Sequence, residues 1–156
     1  MAVRIADDFH AQNLANTVWA FSTLGLLTAP LCAALSKKAD TLIDQFETHS
    51  LANMARAFTT TAYSDPSLYA AWARAAVLRA GRVALTRQEL TDTAWTFAVA
   101  GRSDIPLFAT LAGAAESRVW IFDEKGIATL ALAFAAAGYS DVPLFASLAR
   151  ATQRRT

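Results

Sequence analysis

The chain matches itself. The words NLANTVWAFSTLG, SLANMARAFTTTA, ELTDTAWTFAVAG and GIATLALAFAAAG align on Leu14, Leu51, Leu90 and Ile127, anchors spaced 37, 39 and 37 residues apart. Seven residues past each anchor stands Phe21, Phe58, Phe97 or Phe134, and eleven past stands Gly25, Ala62, Gly101 or Gly138. A second word follows in every copy: LTAPLCAALS, SDPSLYAAWA, SDIPLFATLA and SDVPLFASLA. Five residues before each anchor lies Phe9, Phe46, Leu85 or Phe122. A unit this short buries an apolar face only against its neighbours, so the repeat restricts the fold to a stacked array.

Each unit reads as helix, turn, helix. In the first word the anchor and the positions four, five, seven and eight beyond it are mostly apolar or small, the spacing of one helical stripe. Gly at its end predicts a C-cap, while Ser-Asp predicts the next N-cap and Pro suits the first turn that follows. The expected fold is all-α: an α-solenoid of four helix-turn-helix repeats of about 37–39 residues, bounded near 9–45, 46–84, 85–121 and 122–156. Ala2–Phe9 matches Ala39–Phe46, so residues 1–8 read as the tail of a preceding partial repeat, and the whole of 1–156 as one array. On this phase Phe21, Phe58, Phe97 and Phe134 are core. So are Trp19 and Trp95, which share a slot inside the apolar stripe, Trp72 in a slot otherwise held by Leu35, Leu111 and Leu148, and Trp120 between repeats; the alternative for these four indoles is stacking on bases. Cys32 takes the slot of Tyr69, Phe108 and Phe145 and reads as a packed thiol.

Composition narrows the function. The chain carries 14 Lys and Arg against 13 Asp and Glu, so a nucleic-acid role has to rest on where the charges sit. One cysteine permits no internal disulfide, and His10 and His49 stand in different repeats with no metal-ligand spacing. No Gly-rich phosphate loop or nucleophile elbow is present. The expectation is a chain that is not an enzyme, with no cofactor and no metal site. Ala11–Ser36 lacks charged residues, but polar side chains and the Gly25–Pro30 break argue against a membrane span.

The run Gln12–Gly25, followed by the Pro-Leu word, resembles the octotricopeptide and heptatricopeptide repeats, organellar helical-repeat proteins related to those that carry RAP domains. The resemblance spans about Phe9 to Ala151. It departs from the family in having four units, no RAP domain, and Arg56 where the motif has Trp. It implies sequence-selective binding of organellar RNA.

Two sets of residues would carry such binding. Twenty-three past the anchor stand Lys37, Arg74, Gly113 and Arg150, and twenty-eight past stand Leu42, Arg79, Arg118 and Arg155. Stacking turns each into a basic ladder able to neutralise phosphates, or into a solvated face. Arg56 either joins them, stacks on a base or snorkels. Base-reading positions vary in polar type between copies. They are Asn13, Ser50 and Glu89 one before the anchor; Gln12, His49, Gln88 and Lys125 two before; and Asn16, Asn53 and Asp92 two after.

The leading expectation is therefore a non-catalytic RNA-binding solenoid inside a ribonucleoprotein such as an organellar ribosome, in a mitochondrion ahead of a plastid. Its partners would be single-stranded or ribosomal RNA and other proteins of the assembly, with no membrane. The alternative is a protein–protein interaction scaffold that makes no direct RNA contact.

Overall fold

The computed structural model describes residues 10–61, 63 and 65–154. The partial repeat read over residues 1–8, together with Phe9, Ala62 and Arg155, lies outside them. Among the described residues the chain is all-helical, with no strand. The helices are α1 Ala11–Thr23, α2 Ala29–Thr41, α3 Thr48–Thr59, α4 Pro66–Ala80, α5 Arg87–Val99, α6 Ile105–Glu116, α7 Glu124–Ala136 and α8 Val142–Gln153. Short 3-10 turns at Ile43–Gln45 and Val119–Ile121 lead into the buried rings of Phe46 and Phe122.

The turns are where the repeat words place them, and their chemistry is local. Gly25, Gly101 and Gly138 sit at φ of +68°, +68° and +67°, the left-handed conformation that a side chain disfavours. Each lets the next N–H return to a carbonyl one turn back, as Leu26 to Phe21, Arg102 to Phe97 and Tyr139 to Phe134. Asp65, Asp104 and Asp141 accept from backbone N–H groups at the starts of α4, α6 and α8. It is thus Asp, the second residue of the Ser-Asp word, that caps.

First helices stack on first helices (α1, α3, α5, α7) and second helices on second (α2, α4, α6, α8), giving two layers. The first layer is the tighter. Its flanks carry small buried residues, Ala15, Ala52, Thr91, Ala57, Thr96 and Ala133, which let the axes approach. Closer packing of one layer bends a stack toward it, so the first helices take the concave side.

Between the layers the anchors are buried, and so are Phe58, Phe97 and Phe134. Phe97 and Phe134 meet the second helix of the unit before, whereas Phe58 packs on Trp72 of its own unit, with centroids 5.6 Å apart. Phe97 stands edge-on to Tyr69, with centroids 6.0 Å apart, and Phe134 edge-on to Phe108 at 5.1 Å. Phe21 departs from expectation: it is 37% exposed. The helical phase is right, but no described second helix precedes α1 to cover that ring. Trp72 is fully buried, as its slot predicted.

Cys32 is also buried, and desolvation raises its thiol pKa, with Thr61 as a weak hydrogen-bond partner. The thiolate is the reactive form, so Cys32 is expected to resist maleimide in the native chain and react fully in denaturant. Rapid native labelling would place it at the surface.

Candidate nucleic-acid interface

Three positions on each first helix form one exposed stripe: two before the anchor, two after and five after. Those offsets are spaced by four and three residues, so they share a face. Gln12, His49, Gln88 and Lys125 are exposed at the first position, and Asn16, Asn53 and Asp92 are exposed or half-buried at the second. Much of the polar chemistry is paired locally. Gln88 donates from Nε2 to both carboxylate oxygens of Asp92 at 2.8 Å, and Arg56 reaches Asn53 Oδ1 at 3.4 Å. His49 Nδ1 lies 3.3 Å from the Glu47 carboxylate.

The position one before the anchor does not join this stripe. It is the third residue of each helix, where the backbone N–H groups need caps. Glu89 accepts from the Thr86 backbone N–H at 2.8 Å and from its hydroxyl at 2.9 Å, completing a capping box. Ser50 is buried. At Gly126 an added Cβ would lie 3.0 Å from Asp123 Oδ1 and 3.2 Å from the Phe122 ring. Only Asn13 is exposed. The variation in this slot therefore tracks how each helix starts, and a base-reading role does not fit the buried Ser50 or the capping Glu89.

The basic ladders also separate. Lys37, Arg74 and Arg150 are exposed on the second helices, facing outward from that layer and away from the stripe. A strand lying along the first helices cannot reach them. Arg79 and Arg118 brace the array instead. Arg79 donates from Nη2 to the Asp44 carbonyl at 2.8 Å, and Arg118 donates to the Leu85 carbonyl. Each guanidinium thereby ties the end of a second helix to the linker ahead of the first helix of its hairpin, which holds it away from a phosphate role. Arg87 and Asp123 form a 2.8 Å ion pair between the starts of α5 and α7.

The position five past the anchor lies at the surface, not in the core. Trp19 is 52% exposed and Trp95 38%, and Arg56 and Leu132 are exposed beside them. The slot lies on the outer edge of the first layer rather than between the layers. Trp120, expected to pack, is 69% exposed. The signal was in the sequence: a slot that accepts Arg56 in one copy is not core in the others.

Among the described residues no helix is long and apolar enough to cross a membrane. No curated protein matches the chain at a significant level. The family model for RESC6, RNA-editing substrate-binding complex 6 protein, matches residues 1–155. That is not the octotricopeptide family suggested by the repeat words, and it names an RNA-editing assembly where a ribosome was expected. The chain is an RNA-related helical protein that belongs to the RNA-editing substrate-binding complex 6 family.

Proposed function

We propose that this chain is a non-catalytic RNA-binding subunit of a mitochondrial RNA-editing complex, and that single-stranded RNA lies along the concave first-helix face. The observation that carries the reading is the exposed stripe. It offers the amides of Gln12, Asn16 and Asn53 and the cations Arg56 and Lys125 on one continuous surface. Single-stranded bases expose their pairing edges to such groups. Asp92 accepts but cannot donate, so its rung suits a base edge bearing amino or imino hydrogens. Other proteins of the assembly are partners on the remaining faces. The family description, with its substrate-binding complex, favours this reading over a purely protein scaffold.

The stripe presents few cations, so its salt dependence should be shallow for an RNA binder. Two or three phosphate contacts at about −0.7 each give a log–log slope near −1.5 to −2. Filter binding of an oligouridylate across a salt series measures it. A slope several times steeper would move the RNA to the basic outer face, and absence of RNA binding at low salt would favour the scaffold.

A further inference from the structure

We propose that the slot holding Trp19, Arg56 and Trp95 is a stacking ladder for single-stranded RNA. Each planar side chain takes the face of one base, and the polar residue three positions earlier meets the edge of that base. The inference rests on the reading of the chain as an RNA binder.

Three observations carry it. The first is partial exposure. Indoles are costly to leave in water, yet Trp19 and Trp95 each keep a large part of their surface free in an array that buries Trp72 completely. The second is the side-chain type that alternates with them. Arg56 shares with the indoles a flat face that stacks on a base and adds a charge, whereas a slot selected for apolar contact would reject a guanidinium. The third is the neighbour. Asn16, Asn53 and Asp92 stand three residues before Trp19, Arg56 and Trp95, one turn away on the same face. The Arg56–Asn53 contact at 3.4 Å shows the two positions within reach of each other.

Spacing defines how a strand would lie. Packed helix axes are about 8–10 Å apart. That exceeds the roughly 3.4 Å rise of stacked bases, so the bases must splay and present one per repeat. Leu132 has no π-face, and the ladder ends before it, with Lys125 on that last helix facing the backbone. A protein partner would favour a contiguous apolar patch. Here a guanidinium, amides and a carboxylate interrupt the rings, which suits bases better.

The test uses the full chain carrying Trp120→Phe, so that the exposed indoles left are those of the ladder. A short oligouridylate is titrated while tryptophan fluorescence and affinity are read, beside an abasic strand of equal length and charge. The ladder predicts strong quenching by oligouridylate and little by the abasic strand. Trp19→Ala and Trp95→Ala should each weaken oligouridylate binding about 5- to 100-fold, and Trp→Phe at the same positions should restore most of it. Arg56→Lys, which keeps the charge and loses the plane, should weaken binding and leave the salt slope unchanged. Thermal melting checks that each variant folds as the parent does. If the parent binds RNA but the alanine variants and the abasic strand match it, stacking is overturned and the RNA reading survives. If the parent binds no RNA at low salt, both fall.

Discussion

Replacing Phe97 by Ala is expected to remove about 3–5 kcal/mol of stability, measured by urea unfolding. The ring is buried and stands edge-on to Tyr69 of the preceding unit, so truncation opens a cavity where two repeats meet. A domain of this size is held together by about 5–15 kcal/mol in all, so the variant sits near the edge of folding. Phe21→Ala occupies the same slot and is expected to cost less than half as much, because its ring is already in contact with water. Equal losses at the two positions would contradict the inter-repeat role assigned to this slot.

The second large effect is on binding. Reversing the two cations of the stripe, Arg56→Glu with Lys125→Glu, is expected to lower RNA affinity at least about 100-fold. Hydrogen bonds to charged groups contribute about 1.5–3 kcal/mol each, two are lost, and two repulsive charges replace them. Neutralising Lys37, Arg74 and Arg150 together should change affinity less than about threefold, since those side chains face away from the proposed strand. The pair of variants separates the two faces by one titration each. A large loss from the outer-face triple, with little from the concave pair, would relocate the RNA.

The helices, their turns and their two-layer stacking were legible in the sequence because the signals are local and recur. Gly25, Gly101 and Gly138 mark left-handed ends, and Asp65, Asp104 and Asp141 mark helix starts. The buried rings of Phe58, Phe97, Phe134 and Trp72 were legible for the same reason, whereas Phe21 and Trp120 fit the same pattern and are exposed. The candidate site was only partly legible. Spacing along the chain placed Lys37, Arg74 and Arg150 in a ladder, but only the layer geometry shows that they and the stripe face opposite ways. It also could not show that the variable slot of Ser50 and Glu89 serves helix starts. Trp19 and Trp95 read as core because they share a repeat slot within the apolar stripe, with stacking on bases as the alternative, yet Arg56 in the same slot marks it as exposed.

The braces from Arg79 and Arg118 end on main-chain carbonyls, at Asp44 and Leu85. A carbonyl is present whatever side chain occupies the position. Drift in the linkers therefore cannot remove the acceptor, and no compensating exchange can evolve there to match a lost arginine. Correlated substitutions across relatives would carry no trace of this joint, although it ties second helices to the linkers ahead of their hairpins.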